Sequence, residues 1–141
     1  MIKAKKGHIV TIASLAGQAG TNKLIDYCAS KSANIGMDEA LKVELMVQGL
    51  DSKIKTTLIC PYYIATGMFQ GVQSKVVPIL EPEFVADETV KGILMNKSVV
   101  ILPRWCTILI VLKSVIQTDP FIKLAQTFGF NCSMDQFAGR T

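Results

Sequence analysis

An α/β fold on a parallel sheet is predicted by two features of this chain. Three short apolar runs rich in β-branched residues, His8 to Ser14, Ile54 to Cys60 and Val99 to Leu102, alternate with two stretches of helical periodicity. The order strand, helix, strand, helix, strand implies right-handed crossovers between parallel strands.

The first run opens at Gly7 and closes at the loop Gly17 to Gly20. From about Ile25 to Gln48 the pattern turns helical, with Ala33, Met37, Leu41 and Leu45 on one predicted apolar stripe and Gly49 as the stop. The second run ends at Pro61, which cannot continue ladder hydrogen bonding. Tyr62 to about Pro82 carries the breakers Gly67, Gly71 and Pro78, and a loop of this length more often serves as a functional lid than as a passive link. A second helix is expected over about Glu83 to Asn96, its apolar face made by Val85, Thr89, Ile93 and Leu94. The third strand closes at Pro103. Trp105 to Ile116 follows, twelve residues with Lys113 as the one charge. A bilayer span needs about 20 apolar residues, so this segment either packs on the domain and covers a pocket or lies in a membrane interface. Residues 104–141 are expected to form a hydrophobic C-terminal helical extension.

At 141 residues, 50% hydrophobic and 18% charged, the chain is suited to one folded domain and not to disorder. Its net charge of +4 comes from scattered lysines with one small cluster at Lys3, Lys5 and Lys6. A nucleic-acid partner would require a basic stripe with aromatic platforms, and neither is present. Cys28, Cys60, Cys106 and Cys132 form no C-x-x-C pair, and His8 is the single histidine. Zinc spacing is thereby absent, and His8 is read as opening a strand. Unpaired cysteines and a start that runs into a strand pattern predict a reducing, cytosol-facing setting.

One constellation looks like chemistry. Tyr27 and Lys31 stand four residues apart on the first predicted helix, hence on one face. An ammonium beside a phenol favours the phenolate and equips such a tyrosine to exchange protons with an alcohol or carbonyl oxygen. Ser14, at the end of the first strand, offers a hydroxyl to that same oxygen. In isolation a helix tyrosine is more often a packing residue; Ser14 and the loop after Pro61 favour the chemical reading.

In these residues the chain resembles the short-chain dehydrogenase/reductase family. Gly7-His8-Ile9-Val10-Thr11-Ile12-Ala13-Ser14-Leu15-Ala16-Gly17 is similar to the family's strand-plus-serine segment, and Tyr27-Cys28-Ala29-Ser30-Lys31 to its Tyr-x-x-x-Lys motif. The wording from Cys60 to Phe69 and from Gly129 to Asp135 resembles the retinol dehydrogenase and 17-beta-hydroxysteroid dehydrogenase branch, which works on lipid alcohols. The resemblance implies the C-terminal half of a Rossmann-like, doubly wound parallel sheet. It also implies NAD or NADP as cofactor, and a hydrophobic alcohol or carbonyl substrate such as a retinoid, steroid or fatty alcohol. Tyr27 would be the general acid/base, Ser14 would position the substrate oxygen, and Lys31 would assist the tyrosine and hold the nicotinamide ribose. Pro61, Ile64 and Thr66 would line the nicotinamide amide, although Tyr62 stands where the family has glycine. Met68 and Phe69, with Val72, Val76 and Val77, would form pocket wall or packing.

No Gly-x-x-x-Gly-x-Gly phosphate loop, Asn-Asn-Ala-Gly segment or relay asparagine occurs in the 141 residues. A partial domain is therefore expected, a fragment that binds NAD(P) poorly and is weak or inactive alone, with His8 to Ser14 as an uncovered sheet edge. The alternative is a non-catalytic interaction fragment that docks on a full-length relative, or pairs with itself, through helix 27–49. Resemblance to enzymes of lipid metabolism also suggests residence at the endoplasmic reticulum membrane or a lipid droplet surface.

Overall fold

β-branched residues dominate the three strands because a pleated, two-sided burial suits them. In the computed structural model, which describes residues 1–137, these strands are β1 (Gly7–Ile12), β2 (Ile54–Pro61) and β3 (Val99–Leu102). They form one parallel sheet in the order β1-β2-β3. β1 registers on β2 from Gly7↔Ile54 to Ile12↔Ile59, and β2 on β3 from Leu58↔Val99 to Pro61↔Leu102. The first strand ends two residues earlier than expected, because Ser14 leaves the ladder to cap a short 3-10 turn, Leu15–Gly17.

Two long helices close the crossovers, α1 (Ile25–Val47) and α2 (Pro82–Leu94). Alternation along β2 assigns them to opposite faces. Leu58 and Cys60 pack with Ala13 and Ile35 of α1, while Ile59 packs with Val85 of α2, Leu80, Val100 and Leu102. Burial on both faces makes β2 the centre of the molecule, with every residue from Thr56 to Pro61 buried. β1 is an edge in this sheet, as expected, and Ile12 is 52% exposed there.

The apolar stripe read for α1 is corrected in half. Leu45 is buried and Leu41 partly so, but Ala33 and Met37 face outward. Asp38, only 1% exposed, sits inward instead, ion-paired one turn on with Lys42, whose Nζ also donates to the Ser98 carbonyl 3.1 Å away. Leu94 of α2 is likewise exposed, and Gly92 takes the buried position because a Cβ there would lie 2.5 Å from Val100 Cγ2.

After β3 the chain forms α3 (Cys106–Val115) and α4 (Thr118–Thr127), then a 3-10 turn at Phe130–Cys132. The expected extension over 104–141 is helical in these two segments, and its last residues, 138–141, lie outside the described ones. No helix among the described residues is long and apolar enough to cross a membrane.

Candidate active site

The site begins where β1 stops. Ser14 is buried with an extended backbone, and its Oγ accepts from the Ala16 amide at 3.2 Å and donates to the Pro61 carbonyl at 3.3 Å. The second bond joins the ends of β1 and β2. Gly17, at the end of the same turn, lies so close to α1 that a Cβ would come within 2.7 Å of the Lys31 backbone carbonyl. Ser32 Oγ closes the contact by donating to the Gly17 carbonyl at 2.9 Å.

Tyr27 and Lys31 occupy the first two turns of α1. Lys31 Nζ lies 5.6 Å from the centre of the Tyr27 ring and donates to the Ile12 carbonyl at 3.1 Å. An ammonium has three donors, so two remain for another acceptor. The other constraint on Tyr27 is aromatic: Phe69 meets it edge-to-face, with ring centres 5.6 Å apart and planes at 85°. Phe69 in turn packs on Tyr63 at 5.0 Å and on Phe137 at 6.1 Å.

Beyond Pro61 the chain folds back on itself. Ala65 N–H donates to the Leu80 carbonyl at 2.9 Å and Leu80 N–H to the Tyr63 carbonyl at 2.8 Å. These two bonds form a parallel bridge between Ile64 and Leu80 that uses neither the N–H nor the C=O of Ile64. Tyr62 has a negative φ, so its side chain suits the backbone at the position where the family pattern carries glycine. Its hydroxyl bonds Ser74 Oγ at 2.9 Å, and Ser74 donates to the Val77 carbonyl, which fastens the lid to the floor. Burial raises the Tyr62 phenol to about 12, against the opposing pull of the Ser74 hydrogen bond, so it stays neutral.

All eight residues singled out in the sequence, Ser14, Tyr27, Lys31, Pro61, Ile64, Thr66, Met68 and Phe69, line one cavity of about 670 Å³. Val77 lines it too. Val72 does not, being packed with Leu24, Tyr63 and Met134, and Val76 is 42% exposed away from it. The far wall combines the segment Trp105 to Ile116, expected as a pocket cover, with residues of α4 that the sequence reading did not name. Leu109, Ile110 and Leu112 of α3 and Phe121, Leu124, Ala125 and Phe128 of α4 line the same space. The α4 set recurs at 121, 124, 125 and 128, a legible helical face. Lys113 Nζ donates to the Gln18 carbonyl and ties α3 to the turn that carries Ser14.

Two thiols sit near the cavity without chemistry of their own. Cys60 and Cys106 are both raised to about 11, chiefly by burial, and remain protonated. No group of three or more potential metal ligands occurs among the described residues.

Comparison with known proteins assigns the family and the fold. The short chain dehydrogenase family model matches residues 1–76. The chain is 39% identical over 140 residues to human epidermal retinol dehydrogenase 2, covering 97% of this chain and 45% of that protein. It is 38% identical over 113 residues to mouse 17-beta-hydroxysteroid dehydrogenase 13, covering 80% of this chain and 37% of the relative. The chain thus spans less than half the length of these relatives. Among solved structures, a short-chain dehydrogenase from Sphingobium yanoikuyae in complex with NADPH superposes with a TM-score of 0.60 at 21% identity, over 81% of this chain and 46% of that one. That likeness gives the strand order and the two-sided helical cover their name, a Rossmann-like α/β fold. The chain is a member of the short-chain dehydrogenase family.

Proposed function

We propose that residues 1–141 supply the catalytic wall of an NAD(P)-dependent oxidoreductase that interconverts a lipid-like alcohol, a retinoid, steroid or fatty alcohol, with its carbonyl. The observation that carries this reading is the shared cavity: Ser14, Tyr27 and Lys31 line the same space as the apolar faces of α3 and α4. In this reading Tyr27 gives or takes the proton on the substrate oxygen. Ser14 hydrogen-bonds that oxygen, and its present bonds of 3.2 and 3.3 Å are long, so turning the hydroxyl from the Pro61 carbonyl costs little.

Tyr27, Lys31, Pro61, Ile64 and Thr66 suit one end of a nicotinamide nucleotide. Lys31 has donors to spare for a ribose hydroxyl, and the Ile64 N–H left out of the Leu80 bridge suits a carboxamide oxygen, while the Ile64 carbonyl accepts from the Thr66 amide at 2.8 Å. When bound, the nicotinamide exchanges hydride with the substrate carbon. The 141 residues contain no glycine-rich loop for the pyrophosphate, so this chain by itself holds the nucleotide weakly and turns over slowly or not at all. The test is a graft. Residues 1–141 replace the matching segment of human epidermal retinol dehydrogenase 2, and oxidation of retinol and steroid alcohols is followed with NAD and NADP. Activity lost on Tyr27→Phe is expected; a folded, nucleotide-binding graft that oxidises no lipid alcohol would overturn the assignment.

The outer faces support a cytosol-facing position at a membrane or lipid droplet. Ile108 (70% exposed), Val111 and Val115 make an apolar face on α3 beside Trp105 and Arg104, the composition of an interfacial helix. Flotation with vesicles or droplets, lost on Ile108→Glu with Val111→Glu, checks it.

A second reading is favoured by α1. Its outward residues Ala33, Met37, Val43 and Val47 are apolar and exposed, which suits docking on a second copy or on a full-length relative without catalysis. Met37→Glu with Val47→Glu abolishes co-purification in that case, whereas charges at Leu41 or Leu45 disturb the sheet-facing side.

A further inference from the structure

We infer that this cavity takes up a single-headed amphipathic lipid, a long-chain alcohol or aldehyde, without any nucleotide bound, so that the chain is a stoichiometric lipid holder in its own right. This rests on the reading of the cavity as a lipid-alcohol site. Its basis is how the walls are divided. The groups suited to a nicotinamide nucleotide, Tyr27, Lys31, Pro61, Ile64 and Thr66, lie on α1, at the end of β2 and in the loop after it. The groups that would meet an apolar tail, Leu109, Ile110, Phe121, Leu124 and Phe128, lie on α3 and α4 and belong to none of that set.

Polar atoms around the apolar part are already spent on one another. Tyr62 hydroxyl bonds Ser74, Tyr63 hydroxyl bonds Ser133 at 3.4 Å, and Lys113 Nζ donates to the Gln18 carbonyl. Among the described α3 and α4 residues that line the cavity, all but the Cys106 thiol are apolar, so a ligand with polar groups along its length loses hydration there without replacement. One with a single polar head finds the Ser14 hydroxyl at one wall and apolar side chains at the other. About 670 Å³ falls within the size of small-molecule cavities, roughly 300–1,000 Å³. Tail burial needs no second ligand to organise it, because α3 is tied within the chain: Leu109 and Ile110 pack on the cluster of Leu15, Val77 and Cys106, and Lys113 Nζ donates to the Gln18 carbonyl.

The experiment titrates the 141-residue protein with retinol, read by quenching of its single tryptophan, Trp105, which adjoins the cavity residue Cys106. Straight-chain alcohols then displace the retinol. Titrations are run with no nucleotide and with saturating NADH or NADPH. Saturable one-to-one binding without nucleotide is expected, with affinity rising about fourfold per added methylene until the cavity is full. Ile110→Glu should weaken it at least tenfold, and Ile108→Glu, on the outer face of α3, less than twofold. Should Ile110→Glu fail to fold by circular dichroism, Phe128→Glu replaces it, since Phe128 is 55% exposed while lining the cavity. Binding that appears only with NADH or NADPH overturns this inference and leaves the oxidoreductase reading standing. No binding under either condition overturns this inference and leaves the oxidoreductase reading to the graft, and equal weakening by Ile108→Glu reveals adsorption on the outer face and overturns the inference.

Discussion

β2 and α4 both reach the cavity, and they are built in opposite ways. β2 places Ile59 and Cys60 at 1% and 0% exposure between two helical layers. α4 has no buried residue, and Phe121, Leu124, Ala125 and Phe128 line the cavity. The wall that carries the candidate chemistry is thus anchored on the core through the buried Ser14 and Pro61, whereas the wall that would meet an apolar tail is a cap laid over it. Rigid placement of reacting groups and adaptable fit to a ligand are separated into different elements.

The largest expected difference is in stability. Ile59→Ala removes a fully packed side chain from the centre of the sheet and should cost about 3 kcal/mol by urea denaturation. Leu124→Ala in α4, 38% exposed, should cost less than about 1 kcal/mol. Equal losses at the two positions would show that the cap is as integral to the core as β2.

Next comes the seam between the Ser14 turn and α1. Gly17→Ala drives a Cβ to 2.7 Å from the Lys31 carbonyl and 2.8 Å from Ile35 Cδ1. Backbone cannot step aside cheaply, so a loss of about 2 kcal/mol is expected. Gly20→Ala, with nothing within 4 Å of its Cβ, is the control and should leave the midpoint unchanged. If the two variants behave alike, the close approach that sets Ser14 against Lys31 is not tight in solution.

This division also explains what the sequence could reveal. The strands were legible because core burial imposes β-branched runs, and β3 matches its expected bounds from Val99 to Leu102. Tyr27, Lys31 and Ser14 were legible because one helical turn and one strand end bring them to a common space. The inward face of α1 was misread because an ion pair, Asp38 with Lys42, occupies positions that a polarity stripe assigns to solvent, while Met37 faces out. α4 was expected only as an undivided part of the helical extension over 104–141; Pro120 falls in its first turn, where a missing N–H does no harm. Its apolar face at 121, 124, 125 and 128 was present but lacks the burial that makes such faces conspicuous in composition.

A smaller effect distinguishes the thiols of the two regions. Cys60 and Cys106 titrate from about 9.0 to about 11 on folding, so the unfolded chain releases their protons first. Stability is therefore full below pH about 9 and declines as pH rises toward 11, by less than about 1 kcal/mol per thiol at pH 9.5. Replacing Cys60 and Cys106 with Ala should flatten that decline. In native protein at pH 8 a disulfide reagent should modify the exposed Cys132 and spare both buried thiols. Rapid labelling of Cys106 at the start of α3 would mean that the cap opens on the labelling timescale.

The smallest effect concerns the tie that holds this cap. Lys113→Met keeps the apolar stem of the side chain and removes the donor to the Gln18 carbonyl, leaving that carbonyl to water at a partly buried site. The stability cost should be about 0.5–1 kcal/mol, the ordinary net worth of one hydrogen bond. Amide exchange should rise in α3 while β2 stays protected, because the two walls share few contacts beyond this bond and the cluster of Leu15, Val77 and Cys106. Faster exchange in β2 as well would mean that the cap and the sheet open together, and the softness attributed to α3 and α4 would then belong to the whole domain.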